Sequence, residues 1–251
     1  MVKFSAGSYD LNKWLHGGYD SDVITTVYGA PGTGKTNFCL LAAVSQAKKG
    51  KKVIFVDTEG GFSSERVKQM LGKDSEKCKN VLKNIFLLKP TNFNEQKQAF
   101  RELEKHVKNQ VSLIVVDGMT MLYRLDFADA RNKDIADLEE RKASEPSNSK
   151  PRNGFTSIQK INSELTKQLK QLAEISRKQN IPIIVTNQIY KWDNESRMVG
   201  GDILKYWSKC LIEVTNENGR RIVRLVKHRS LPEKSFTFQI YDGGIRKKGW
   251  I

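Results

Sequence analysis

Gly29-Ala30-Pro31-Gly32-Thr33-Gly34-Lys35-Thr36 is the stretch that decides how this chain folds. It fits the pattern of two glycines with four residues between them, the second followed by lysine and a hydroxyl residue. A short β-branched run, Val23–Tyr28, comes before it, and Asn37–Lys48 reads as a helix after it. That context gives the pattern its physical meaning. Glycines let the backbone curl until its N–H groups point inward at phosphate oxygens. The helix that follows adds the positive end of its dipole. Lys35 is placed to reach the β- and γ-phosphates of a nucleotide, and the Thr36 hydroxyl to ligate Mg²⁺. The expected ligands are therefore ATP and Mg²⁺, with Gly29 to Thr36 as the cradle. A glycine-rich turn with an exposed lysine is the plain structural alternative.

Outward from this loop, strand and helix patterns alternate. Lys52–Asp57, Leu113–Asp117 and Ile181–Thr186 are compact apolar strands, and Asn94–Lys108 has helical spacing. Ile158, Ile161, Leu165, Leu169, Leu172 and Ile175 recur at steps of three or four, the mark of an amphipathic helix. Continuous apolar strands alternating with helices imply a parallel sheet covered on both faces. From Leu211 the pattern changes to strands joined by short turns: Leu211–Thr215, Arg221–Lys227 and Ser235–Tyr241, with Asn218-Gly219 as a hairpin turn. The expectation is an α/β fold, a mostly parallel sheet flanked by helices with an antiparallel C-terminal edge. It forms a single domain over 1–251, with a flexible insertion at about 128–154. That insertion is charged and poor in apolar residues, and its Ser144–Gly154 end has loop composition.

Leu113-Ile114-Val115-Val116-Asp117 delivers a carboxylate to the end of a buried strand, where it can orient the water shell of a bound Mg²⁺. Strands ending in aspartate also occur as helix caps; beside the phosphate loop, the metal role leads.

Composition narrows the setting. The formal net charge is +15, with 43 Lys and Arg against 28 Asp and Glu. Such a surplus favours polyanions through counterion release, although a solvated lysine-rich surface explains it equally well. Cys39, Cys78 and Cys210 lie far apart and have no metal-site spacing. No apolar run approaches the ~20 residues needed to cross a bilayer. A cytoplasmic, nucleoid-associated protein with no membrane partner is expected.

Three further stretches carry a family resemblance. Asp57-Thr58-Glu59-Gly60-Gly61-Phe62-Ser63-Ser64-Glu65-Arg66, Thr186-Asn187-Gln188 and Gly200-Gly201-Asp202 resemble the RecA/RadA-type recombinase family, whose core is a RecA-like P-loop ATPase. The resemblance runs from about Ser5 to Ile251 and is strongest to the family's short archaeal paralogs. It implies that Glu59 activates the attacking water, that Arg66 stacks on adenine, and that Gln188 senses the γ-phosphate, with Lys35 completing the catalytic set. Lys227-His228-Arg229 resembles the finger of KaiC-type and bacterial Sms-type relatives, in which lysine and arginine reach a neighbouring subunit's phosphate. A homo-oligomer through Lys227 and Arg229 would follow; a basic hairpin on a basic protein is the alternative.

Two segments lie where family members face DNA. The first carries Arg124 and Arg131, the second Lys191, Trp192 and Arg197. Cationic loops with an aromatic residue suit backbone contact and base stacking on single strands, with little sequence specificity, though Trp192 also suits core packing. The chain opens directly at the ATPase core. The resemblance accordingly implies a slow, Mg²⁺-dependent ATPase of DNA repair and homologous recombination, bound to DNA and assisting a full-length recombinase and other repair proteins without itself driving strand exchange. The rival readings are a nucleotide-gated adaptor and a KaiC-like ring ATPase with no DNA role. A small-molecule kinase fits least, since no lid motif is apparent.

Overall fold

A computed structural model describes residues 2–72, 74–107, 111–144, 156–192 and 195–249. The chain opens with a two-residue strand β1 (Lys3–Phe4), helix α1 (Tyr9–Trp14) and strand β2 (Tyr19–Asp20), which pairs antiparallel with β1. The core follows as β3 (Ile24–Gly29), α2 (Lys35–Ala47), β4 (Lys52–Asp57), α3 (Ser64–Leu71), α4 (Ser75–Lys83), β5 (Ile85–Leu88), α5 (Phe93–Val107) and β6 (Val111–Asp117). Then come α6 (Met121–Ser144), α7 (Ser157–Gln179), β7 (Ile183–Trp192), β8 (Glu195–Met198) and α8 (Gly201–Trp207). Strands β9 (Ser208–Glu217), β10 (Arg220–Lys227), β11 (Lys234–Tyr241) and β12 (Gly244–Lys247) close the order.

The main sheet runs β12-β11-β10-β9-β3-β7-β6-β4-β5. From β9 to β5 every pairing is parallel, whereas β10, β11 and β12 pair antiparallel. This is the α/β architecture expected from the alternating pattern, antiparallel edge included. Asn218 and Gly219 both have positive φ, 52° and 78°, as the tight turn between β9 and β10 requires.

The apolar strands are buried on both faces because helices cover both. One core gathers Phe38, Leu41, Phe55, Val115 and Ile184 under α1 to α4 and the C-terminal strands. The other gathers Phe100, Leu103, Ile114, Leu165 and Leu169 under α5 to α8. Each such large side chain taken out of water contributes roughly 1.5–3 kcal/mol.

The expected insertion at 128–154 needs correction over its first part. Residues 128–144 continue helix α6 without a break. Ala, Arg, Lys, Glu and Leu, common in this stretch, all have high helix propensity, so a charged and weakly apolar sequence still holds a helix when one turn can dock. Docking comes from Ala130, which is buried, and from Asp134, which accepts hydrogen bonds from the Ser157 and Ile158 backbone N–H groups at 2.9 and 3.2 Å. That carboxylate caps α7 alongside the Thr156–Gln159 capping box. The remainder, 145–155, lies outside the described residues.

The strand β2 carboxylate of Asp20 anchors the N-terminus to the segment after β10. It pairs with Lys3, accepts from Arg229 Nε at 2.9 Å, and lies 3.4 Å from His228 Nε2. Burial works to raise the Asp20 pKa, but the hydrogen bonds from Lys3 and Arg229 and the Lys3 charge outweigh it and hold the carboxyl below its ordinary value. A depressed carboxylate stabilises the fold above its unfolded pKa, near 4, and that stability is lost as pH falls through the folded value. Asp20→Asn should therefore cost about 1–3 kcal/mol at pH 7, the partners being partly solvated. Denaturant unfolding at pH 7 and again below pH 4 should show the deficit shrinking at the lower pH; an equal loss at both would remove the charge from the explanation.

Candidate functional site

Parallel register brings together the ends of β3, β4 and β6 and the point where β7 leaves the parallel sheet. Gly29 at the end of β3 faces Gln188 of β7, and Asp57 at the end of β4 faces Asp117 of β6. Glycine is required at the loop's start: a Cβ on Gly29 would sit 2.0 Å from the Val214 carbonyl oxygen. Thr33 closes the loop with its N–H and its hydroxyl, both donated to the Ala30 carbonyl, at 3.4 and 2.9 Å. Helix α2 then begins at Lys35 with no acidic residue in its first turn, leaving its positive end for an anion. Lys35 is 7 % exposed, and its ammonium donates to the Gly29 and Ala30 carbonyls at 2.9 Å each. Burial lowers its pKa, and the Glu59 and Asp117 charges work the other way.

Asp117 is 1 % exposed. Its Oδ1 accepts from the Thr186 hydroxyl at 2.6 Å, and that hydroxyl oxygen accepts the Gly118 N–H at 2.7 Å. Burial raises the Asp117 pKa against the hydrogen bonds of Thr186 and Thr36. Its second oxygen, Oδ2, is buried without a partner of ordinary geometry. Both Oδ2 and Thr36 Oγ1 lie 3.3 Å from the point where a Cβ on Gly61 would stand. A lone carboxylate oxygen beside a hydroxyl, next to a phosphate cradle, is a donor set that suits Mg²⁺, which takes one or two carboxylates and fills its shell with water and phosphate.

Glu59 and Gln188 meet, with Gln188 Nε2 donating to Glu59 Oε2 at 3.1 Å. The loop carrying Glu59 is held from both sides. Asp57 Oδ1 and Oδ2 accept the Gly61 and Phe62 N–H groups at 3.0 Å each, and the Thr58 hydroxyl donates to the Asp117 and Gly118 carbonyls. A water-sized cavity of about 10 Å³ adjoins the pair, lined also by Thr120, Arg124, Asn187 and Val199. The Thr120 hydroxyl donates to Asn187 Oδ1, and Asn187 Nδ2 donates to the Val199 carbonyl at 2.8 Å. Thr120 leads into α6, and Val199 follows β8.

Arg66 lies beside the phosphate loop, bound on several sides. Nε donates to Asn37 Oδ1 at 2.9 Å, and the terminal nitrogens donate to the Tyr241 and Asp242 carbonyls at 2.8 and 3.2 Å and to Gln69 Oε1 at 2.8 Å. The β11–β12 turn is thus part of the nucleotide end; Ile240 stands 2.7 Å from where a Gly34 Cβ would be. Lys227 and Arg229 are not brought to this loop. Lys227 donates to the Lys205 and Ser208 carbonyls at the C-terminal end of α8, at 3.0 and 2.9 Å. Arg229 grips Asp22 through two nitrogens at 3.1 and 2.8 Å. Of the residues expected to face DNA, Arg124 and Arg131 are exposed on α6 two turns apart, on a helix where mobile loop was expected. Arg197 is exposed on β8 opposite Tyr190 in a β7–β8 hairpin. The side chains of Lys191 and Trp192 lie outside the described part.

Sequence reading missed Asp57, Thr186, Asn187 and Thr120. Each is polar and buried, Asp57 and Thr120 at or past a strand end and Thr186 and Asn187 within β7, a weak signal available beforehand.

The Rad51 family model matches residues 1–143 and 152–248. Proteins called "DNA repair and recombination protein RadB" are similar over 94 % of this chain. The one from Methanobrevibacter smithii is 36 % identical with 92 % of its own length covered, that from Methanocaldococcus jannaschii 35 % with 98 %, and that from Methanococcus maripaludis 34 % with 96 %. A solved structure described as the crystal structure of the RadB recombinase superposes with a TM-score of 0.74 at 31 % identity, covering 98 % of this chain and all of that one.

Gly118 provides a test of how tightly the site is packed. At φ 90°, a Cβ there would lie 2.3 Å from Thr58 Oγ1 and 2.7 Å from Glu59 Cγ; at Gly60, φ 71°, it would meet open space. Gly60→Ala should cost only the left-handed backbone penalty, roughly 1 kcal/mol. Gly118→Ala adds overpacking and should cost about 3 kcal/mol or more. Equal losses in urea unfolding would mean that the Thr58–Glu59 turn yields freely.

Proposed function

The chain belongs to the Rad51 family, and from that premise we propose that it is an ATP- and DNA-binding protein of DNA repair and homologous recombination, with slow Mg²⁺-dependent ATP hydrolysis, that assists a full-length recombinase. The observation that carries the reading is the Glu59–Gln188 contact beside the Lys35 loop, with Gln188 running directly into the β7–β8 hairpin. It sets a carboxylate and an amide on one water-sized space, which supports reading them as base and sensor.

In this reading Lys35 leaves the Gly29 and Ala30 carbonyls to hold the β- and γ-phosphates, and the amides of the loop and of the α2 start cradle them. Thr36 and Asp117 hold Mg²⁺, which when bound neutralises phosphate charge. Glu59 takes the proton of the attacking water, and Gln188 must turn from Glu59 to meet the γ-phosphate. The two rearrangements support slow turnover. Arg66 and the β11–β12 turn border the base. Arg124, Arg131, Lys191, Trp192 and Arg197 face single-stranded DNA, the first two from α6 and the others from the hairpin. For Lys227 and Arg229 to act on a neighbouring subunit's phosphate, Arg229 would have to release Asp20 and Asp22, and Lys227 the end of α8; assembly through them belongs to the proposal on that condition.

A nucleotide-gated adaptor is the second reading, favoured by the hydrogen bond that engages Glu59. Glu59→Gln separates the two. It should keep ATP binding and lower turnover by about 100-fold or more, whereas Lys35→Ala should remove binding. If Glu59→Gln still supports survival of DNA damage as the parent does, turnover is incidental and the adaptor reading stands. Charge reversal of Lys191 and Arg197 should weaken single-strand binding in fluorescence anisotropy; no binding by the parent even at low salt would overturn the DNA role.

A further inference from the structure

A guanidinium carries five N–H donors in one plane. At Arg66 the protein takes most of them. Nε donates to Asn37 Oδ1, one terminal nitrogen donates to Gln69 Oε1 and to the Asp242 carbonyl, and the other donates to the Tyr241 carbonyl. Four of the five in-plane donors are thus engaged. What is left for a ligand is one N–H and the flat face of the group.

The frame around Arg66 is fixed on three sides. Its own backbone N–H donates to the Ser63 hydroxyl that caps α3, at 3.2 Å. Asn37 stands in the first turn of α2, one residue past Thr36, and its N–H donates to the Gly34 carbonyl at 2.9 Å. The Tyr241 and Asp242 carbonyls belong to the β11–β12 turn, which is seated closely. A Cβ on Gly244, at φ 125°, would lie 2.4 Å from Leu41 Cδ2 of α2, and one on Gly243 would lie 2.7 Å from the Tyr241 ring. Arg246 packs on that ring, its guanidinium 4.7 Å from the centroid. Helix α2, helix α3 and the turn therefore set the Arg66 plane between them, and the plane is set independently of any ligand.

We infer that Arg66 meets a purine with its face alone, that Asn37 is the positioning residue that keeps it so, and that the site takes purine nucleoside triphosphates without distinguishing adenine from guanine. The inference rests on the ATP-binding reading above and deepens it by naming the substrate class. Stacking on a guanidinium uses the π-face of the base, which both purines present. The two differ in the donors and acceptors on their edges. A site rejects a near-isostere strongly only when one of its own polar groups is left unpaired by it. The Arg66 edge is already committed to Asn37, Gln69 and the turn, so neither purine leaves it unpaired. Asn37 acts at the Nε edge. Without its oxygen, the guanidinium keeps only the partners on its terminal nitrogens and can tilt away from a ring lying over the Gly29–Thr36 loop.

The test is calorimetric titration of ATP, GTP and inorganic tripolyphosphate, each with Mg²⁺, into the full chain and into Asn37→Leu and Asn37→Asp. In the parent, ATP and GTP should bind within about tenfold of each other. Both should bind at least about tenfold more tightly than tripolyphosphate, which has no base to stack. Asn37→Leu should bring ATP and GTP to within about threefold of tripolyphosphate. Asn37→Asp, whose carboxylate still accepts from Nε, should keep the parent's ratio. The ratio is the readout, because a damaged fold or an added charge moves all three ligands together. A preference for either purine beyond about tenfold overturns the face-only contact. A parental ratio in Asn37→Leu overturns the role of Asn37. Tripolyphosphate binding as tight as ATP in the parent overturns the base contact and leaves the phosphate-loop reading intact. Failure of the parent to bind any of the three overturns the inference and the ATP-binding reading together.

Discussion

The parallel register of β3, β7, β6 and β4 is the constraint on which the rest of the site depends. It aligns Gly29 with Gln188 and Asp57 with Asp117, so the Gly29–Thr36 loop, the Gln188 amide and two carboxylates meet at one end of the parallel strands. Ligand sites form outside the carboxyl ends of parallel strands for this reason. The alignment has a cost, because Asp57 and Asp117 are buried neighbours of like charge. Each is met by a different set of donors. Asp57 takes two backbone N–H groups from the turn it starts, and Asp117 takes the Thr186 hydroxyl. Only Asp117 keeps an oxygen without an ordinary partner. Two chemically identical side chains at the same strand level thus differ in what they hold: one fixes a turn, and the other keeps an oxygen that in the proposed function would meet a cation.

What could be read from the sequence follows from how local each signal is. The loop of Gly29 to Thr36, the apolar strand ending in Asp117, and the Asn218-Gly219 turn are self-contained patterns, and the structure places them as expected. Glu59 and Gln188 were legible only through resemblance, since nothing in either segment says that they touch; their contact joins residues 129 positions apart. Asp57, Thr186, Asn187 and Thr120 were illegible because a polar residue in or just after a strand has several common roles, and only the neighbouring strand decides among them. Arg66 was assigned to the base by resemblance, but its backbone partners Tyr241 and Asp242 lie about 175 residues away.

Helix α6 shows composition misleading in the other direction. Its outer turns are charged, and Leu125, Ile135 and Leu138 are exposed, so neither hydrophobic periodicity nor loop chemistry describes it well. What fixes it is tertiary: Tyr123 Oη donates to Asn162 at 2.7 Å, and Asp134 caps α7 about three turns further on. A segment counted as insertion is therefore structural over 128–144, and it presents Arg124 and Arg131 from a helix whose base lines the cavity beside Glu59. A rigid presentation of cations changes what they can do. Residues on a helix hold fixed spacing toward a phosphate chain, whereas residues on a loop must lose entropy to reach it.

Three consecutive residues of β7 tie these parts together. Thr186 holds the Asp117 carboxylate, Asn187 holds the start of α6 through Thr120 and the end of β8 through Val199, and Gln188 holds Glu59. Alternation along a strand sends Thr186 and Gln188 to one face and Asn187 to the other. The contacts to Asp117 and Glu59 therefore share a face, and the contacts to α6 and to the end of β8 lie behind it. Because Asn187 and Thr186 are buried and fully engaged, neither contact can shift without leaving a polar group unpaired, at about 1–3 kcal/mol each. Gln188, half-exposed and bonded at 3.1 Å, is the loosest of the three. A nucleotide that draws Gln188 away from Glu59 would pull on the first residue of the hairpin while the strand behind it stays fixed, so movement at the phosphate end passes forward into β7–β8 and not back into the sheet.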